Sequence, residues 1–381
     1  MPSFSALKMR TKLILIVAVP LLGLLYFSIS STIERAVIAR EMGKLESLVG
    51  LSVKIGALTH ELQKERGMTA GFLGSQGVKF ASELPAQRTA TDKKVGELKQ
   101  VLANFNADQF GPFLRNSLSE VLKNIDELNT KRGAVSAQTI PAQEAVSYYT
   151  RIIDIFLNIP NQASTLSSNS HIARLNSAYA ALLLSKERAG QERAILTAVF
   201  AADKFTPEIF ARFFSNASAQ DVYVKVFNTY ALDEQKEFYK NKISGPAVDE
   251  VAAIKKTTVE RANEKSLGVD SAHWFKVVTE KIDLLKEVED RLSGDLSKTT
   301  EQLKGNAQNL MIFYITLSVV TLLVTLFFAT YMIRALLRQI GGEPDYAAEA
   351  VHKISAGDLS MDFAVKPGDT SSLLYSMKTM Q

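Results

Sequence analysis

Residues 51–66 read LSVKIGALTHELQKER. Leu51, Ile55, Leu58 and Leu62 stand four, three and four residues apart, the spacing that lays an apolar stripe along one face of an α-helix. The same period returns late in the chain at Leu285, Val288, Leu292 and Leu296. Between the two stripes no sustained alternation of apolar and polar residues with hairpin turns occurs, so folds built on a central sheet are disfavoured and an all-α fold is expected. Breaks are expected at Gly71–Gly77, Phe110–Pro112, Ile140–Pro141, Ile159–Asn161, Thr206–Pro207 and Ser244–Pro246, where Gly and Pro punctuate the chain.

Outward from these stripes lie two long uncharged runs. Leu13 to Thr32 contains 20 residues without a charge, enough at about 1.5 Å per residue to cross about 30 Å of hydrocarbon. Leu310 to Ile333 is also of spanning length. The first run is too long for the apolar part of a cleaved signal and has no convincing small-x-small site after it, so an uncleaved anchor is expected. Lys8, Arg10 and Lys12 precede the first run, and Arg334 and Arg338 follow the second. The positive-inside tendency then puts both ends in the cytoplasm and the segment between the runs outside the bacterial inner membrane. The expected organisation is a cytoplasmic N-terminus (1–12), a first span (13–32), a periplasmic helical domain (33–308), a second span (309–333) and a cytoplasmic linker (334–381).

Composition narrows the function classes. The 381 residues leave room for two or three units at about 150 residues each. With 44 basic and 40 acidic residues the net charge is only +4, and the two signs alternate along the helices, so nucleic acid is not an expected partner. The absence of Cys excludes disulfide frameworks, thiolate metal sites and thiol nucleophiles. His60, His171, His273 and His352 fall in different elements, and no phosphate-binding loop or hydrolase turn occurs, so neither an enzyme nor a cofactor or metal site is expected.

Two short segments, Lys64-Glu65-Arg66-Gly67 and Gln191-Glu192-Arg193-Ala194, set charge into apolar stripes. One stripe runs Leu62, Glu65, Thr69, Phe72, and the other runs Leu182, Ser185, Ala189, Glu192, Leu196. A buried charge needs a partner or a ligand. Two readings are open. Glu65 and Glu192 pair crosswise with Arg193 and Arg66, or with Lys186 and Arg188, and lock helix register. Alternatively Arg66 and Arg193 converge on a small oxyanion while each Glu holds an Arg in place, a task suited to guanidinium because its planar fork of donors matches a planar oxyanion.

The run Glu61 to Leu73 (ELQKERGMTAGFL), then Gln87-Arg88 and Thr91-Asp92, resembles the opening of the nitrate- and nitrite-sensing (NIT) domain of bacterial receptors. Lys186 to Ala194 and the helix bearing Trp274 resemble that family's second half. The resemblance implies two stacked four-helix bundles with an anion held between helices by arginines. Arg66 and Arg193 match motif positions, Arg88 is a further candidate, and Glu65 and Glu192 are the supporting carboxylates.

Beyond the second run, Gly341-Gly342-Glu343-Pro344-Asp345-Tyr346-Ala347 and then Gly357-Asp358-Leu359 look like a HAMP linker of methyl-accepting chemotaxis receptors. Ala347, Ala350, Val351 and Ile354 would form its first apolar stripe and Leu373, Leu374, Met377 and Met380 the start of its second. The resemblance implies a homodimeric transmembrane chemoreceptor that passes an anion signal to a chemotaxis kinase and adaptor, through a signalling module expected beyond Gln381. The alternatives are the sensor region of a histidine kinase or nucleotide cyclase, and a structural two-span helical envelope protein.

Overall fold

A computed structural model describes residues 9–380 apart from 168, 265, 359 and 363. Lys8, Leu359 and Gln381 lie outside the described residues, as does the side chain of Arg10. All regular elements among the described residues are helical, as the stripes predict. In chain order they are α1 (Met9–Gly74), α2 (Glu83–Ala103), a short 3-10 turn (Ala107–Phe110), α3 (Pro112–Ser136), α4 (Ala142–Leu166), α5 (Ser170–Ala202), α6 (Pro207–Tyr230), α7 (Asp233–Lys242), α8 (Pro246–Glu260), α9 (Ser271–Ile340), α10 (Pro344–Ser355) and α11 (Leu373–Met380).

Local chemistry explains most boundaries. Asn169 opens α5 by accepting from the backbone N–H groups of His171 and Ile172, both at 3.0 Å, and Thr206 opens α6 by accepting from Ile209 N–H at 3.3 Å. Gly111 and Gly245 precede the first-turn prolines of α3 and α8 with φ of 91° and 100° and extended ψ, a region that essentially only glycine enters. The break expected at Ile159–Asn161 does not occur: α4 continues through Pro160 and ends at Leu166. Packing holds this turn, with Ile159 wholly buried and the Asn176 amide donating to the Pro160 carbonyl at 2.6 Å. A break missed by the Gly and Pro count lies at Ala231–Leu232, where the Gln235 side chain accepts from Leu232 N–H at 3.1 Å and starts α7.

The chain divides into two compact units. One comprises Glu41–Lys304. Its core takes in both stripes: Leu51, Ile55, Leu58 and Leu62 on α1, and Leu285, Val288, Leu292 and Leu296 on α9, each at most 2% exposed. Polar ties group the helices in fours. Glu65 on α1 bonds Arg132 on α3 and Tyr149 on α4, and Arg132 reaches Asp92 on α2. In the second group α5 is tied to α6 through Arg188 and Asn216, to α8 through Glu192 and Lys255, and to α9 through Arg193 and Thr279.

The other unit comprises Met1–Arg40 and Gly305–Gln381. Its segments of α1 and α9 are long and apolar enough to cross a membrane, and their most apolar windows have no buried residue. Phe27, Leu22, Phe327 and Leu323 are among the exposed apolar side chains, a pattern that costs stability in water and suits hydrocarbon. Also in this unit, α10 and α11 pack through Ala347, Ala350, Leu374 and Met377.

Candidate anion site between two long helices

Helices α1 and α5 run side by side in the same direction. Gln63 and Arg66 on α1 both donate to Glu187 on α5, and farther along Gly67 lies against the Arg193 guanidinium. An offset of 127 residues superposes the two sets of charges in sequence: Glu65 falls on Glu192, Arg66 on Arg193, Gln63 on Gly190 and His60 on Glu187. The contacts follow the same exchange. The Nη2 of Arg66 lies 3.1 Å from the point where a Cβ on Gly190 would stand, and the Nη2 of Arg193 donates to the Gln63 carbonyl at 3.3 Å.

The four charges of the two segments, Glu65, Arg66, Glu192 and Arg193, are buried, and three of them are paired with a group of opposite charge. Glu65 is fully buried and accepts from Arg132 Nε at 2.7 Å, Arg132 Nη2 at 2.8 Å and the Tyr149 hydroxyl at 2.7 Å. Glu192 accepts from Lys255 Nζ at 2.8 Å. Arg66 grips both oxygens of Glu187, at 2.6 and 3.1 Å, and also donates to Thr150. Glu187 accepts two further bonds, from Gln63 at 2.8 Å and Gln191 at 2.7 Å. The crosswise pairing of Glu65 and Glu192 with Arg193 and Arg66 does not occur; the carboxylates reach out to α3 and α8 instead. A further buried pair, Lys186 with Glu289, ties α5 to α9.

Arg193 is the exception. It is 3% exposed, yet among the described residues its hydrogen-bond acceptors are neutral: Thr279 Oγ1 at 3.0 Å and the Gln63 carbonyl. Its guanidinium carbon stands 4.9 Å from the centre of the Phe275 ring. Burial, and then the charge of Arg66, pull its pKa down to about 10, against the weaker pull of Asp283 and Glu187. Neither carboxylate forms an ion pair with it. The position related to Glu187 by the 127-residue offset is His60, which burial and the charges of Lys186, Lys286, Lys64 and Arg193 hold neutral. Where Arg66 grips a carboxylate, the position related by the offset holds a neutral imidazole, and Arg193 forms no ion pair among the described residues.

The structure brings Arg66 and Arg193 to one interface, between α1 and α5. Arg88 serves elsewhere: it donates to Ser136 Oγ at 2.8 Å and to the Arg132 carbonyl at 3.3 Å, joining α2 to α3. Sequence reasoning missed Arg132, Glu187 and Lys255, the partners that complete three of the four charges. The Trp274 indole N–H donates to the Arg193 carbonyl at 3.2 Å, fixing the backbone at the candidate site.

Comparison with known proteins gives three findings. Residues 57–297 match the family described as nitrate and nitrite sensing (NIT). The chain is 26% identical over 253 residues to a nitrate regulatory protein of Klebsiella oxytoca, covering 66% of this chain and 63% of that one. In fold it is similar to the solved structure of the NasR transcription antiterminator, with a TM-score of 0.66 and 21% identity over 86% of this chain and 90% of the other. The chain thus spans less than two thirds of the curated relative's length. These likenesses overturn the expectation of a methyl-accepting chemoreceptor with a HAMP linker and chemotaxis kinase partners, because the similar proteins are a nitrate regulator and a transcription antiterminator. The exclusion of nucleic acid, drawn from the balanced charge, is corrected on the same ground. The family match ends at residue 297, so α10 and α11 are described by their own packing alone.

Proposed function

Since the chain belongs to the nitrate- and nitrite-sensing family, we propose that residues 41–304 form the receptor for nitrate or nitrite in a nitrate-dependent regulatory protein. It acts by binding, without catalysis. Arg193 is the principal contact, with Arg66, held by Glu187, at the same interface, while Glu65 and Glu192 fix the helices that carry the two arginines by pairing with Arg132 and Lys255. The observation that carries this reading is the buried Arg193 guanidinium without a carboxylate partner. Buried charges are normally paired, and a planar oxyanion supplies both the missing charge and acceptors matched to the fork. The test is calorimetric titration of the full chain in lipid nanodiscs with nitrate, nitrite, chloride and sulfate. Nitrate or nitrite is expected to bind, and Arg193→Lys, which keeps the charge and loses the fork, is expected to bind about tenfold more weakly. No heat from any anion at millimolar concentration would refute the reading.

The proposal extends to location. Helices α1 and α9 both contribute to the candidate site, through Gln63 and Arg66 and through Thr279 and Phe275, and both carry an apolar segment. The protein is anchored by those segments in the bacterial inner membrane, with residues 41–304 on the periplasmic side. Because the chain has no Cys, the single variant Lys123→Cys, at an exposed position of α3, reports sidedness. A membrane-impermeant maleimide is expected to label it in intact cells stripped of the outer membrane; labelling only after lysis would reverse the orientation.

A further inference from the structure

The cleft that Arg193 faces is far larger than the ion proposed for it. Its volume is about 910 Å³. Nitrate has four heavy atoms, against the one of a water molecule that takes up about 30 Å³ in the liquid, and would fill one corner. The rest is walled by apolar groups from four parts of the unit: Val78 and Phe80 after α1, Ile195 on α5, Ile209 on α6 and Phe275 on α9. Phe80 and Phe275 approach to 5.4 Å between ring centres. Two glycines on α1 keep this space open: a Cβ on Gly67 would stand 3.1 Å from the Arg193 guanidinium, and one on Gly71 would run into the Phe80 ring.

Charge in the lining favours an anion. Lys79, Arg193 and Arg212 face one carboxylate, Glu83, and of these four only Arg193 is buried. A single buried cation in the wall of a roomy apolar cleft is the arrangement that orients a ligand with one anionic end and an apolar body. We infer that this cleft binds a small organic monocarboxylate, its carboxylate paired with Arg193 and its hydrocarbon or aromatic body lying against Phe80, Phe275 and Ile209. The inference rests on the reading of Arg193 as the anion contact and extends it to a second ligand class that competes with nitrate.

Phenylacetate and hexanoate are the probes, titrated into the full chain in nanodiscs, with empty nanodiscs as the blank and the two neutral amides as comparators. Both acids are expected to bind and to displace nitrate, with the amides at least tenfold weaker. Ala198→Trp on α5 and Ala70→Trp on α1 insert bulk into the cleft wall. Each is expected to weaken the acids at least tenfold while leaving nitrate binding near the parent value, which also shows that the variant is folded. Nitrate binding without carboxylate binding overturns this inference and leaves the nitrate reading standing. Carboxylate binding unchanged in both tryptophan variants, or equal for acids and amides, overturns it as well. If neither anion class binds, the reading of Arg193 itself has failed.

Discussion

Replacing Arg193 by alanine is expected to weaken nitrate binding by about 100-fold with little loss of stability. Two charge-assisted hydrogen bonds, each contributing about 1.5 to 3 kcal/mol, are removed, and about 3 kcal/mol corresponds to a factor of about 100 in affinity. The small effect on folding follows from the partners: Thr279 and the Gln63 carbonyl are neutral acceptors, so no buried charge is stranded. A companion variant tests the cause without touching the arginine. His60→Glu puts a carboxylate where the 127-residue offset places the counterpart of Glu187, next to the charges that already hold His60 neutral. An internal counter-ion for Arg193 is expected to compete with nitrate and reduce affinity at least tenfold, while His60→Gln leaves it close to the parent. Equal affinities in the Glu and Gln variants, measured by calorimetry, would show that charge compensation at this interface does not govern binding.

Much of this was legible in the sequence because burial follows helical period. Every member of the stripe Ile172, Leu175, Tyr179, Leu182, Ser185, Ala189, Glu192, Leu196, Val199 is buried, including the charged one. The partners were harder to read, since spacing along one helix says which face a residue occupies and not which helix it meets. One signal was nonetheless available. On α3 the buried series Leu118, Val121, Ile125, Leu128, Arg132, Val135 is interrupted by a charge in the same way as the stripe containing Glu65, and opposite charges in two buried stripes are natural partners. Val251, Lys255 and Thr258 on α8 repeat the pattern opposite Glu192, with the Lys255 side chain 24% exposed. The continuity of α4 through Pro160 had no such signal, because it depends on a hydrogen bond from Asn176, on a different helix. Of the four charges in the two segments, Glu65, Glu192 and Arg66 pair with protein groups of opposite charge, whereas Arg193 forms no ion pair among the described residues, which is why the anion contact is proposed there.

That division predicts opposite behaviour for Glu65. Replacing it by alanine takes from Arg132, only 5% exposed, its buried carboxylate partner, leaves it the largely exposed Asp92, and removes the acceptor of the Tyr149 hydroxyl. Breaking a buried pair from one side costs about 3 to 5 kcal/mol, and Asp92, its side chain 58% exposed, offsets only part of the charge left on Arg132. For a domain of this size about 1 kcal/mol lowers the melting temperature by about 2 to 4 °C, so a fall of roughly 10 °C is expected. Trp274, the one tryptophan in the chain and completely buried, reports the transition by its fluorescence. Nitrate affinity measured well below the transition is expected to stay within about threefold of the parent, since Glu65 faces α3 and α4 rather than Arg193. The decisive comparison is the triple variant Glu65→Met, Arg132→Met, Tyr149→Phe, which removes the charges and the hydroxyl together. Replacing a buried pair as a unit is often neutral, so the triple variant should melt above Glu65→Ala despite carrying more changes. A melting temperature below that of the single variant would mean that the Glu65 cluster stabilises the unit by more than mutual compensation of its charges.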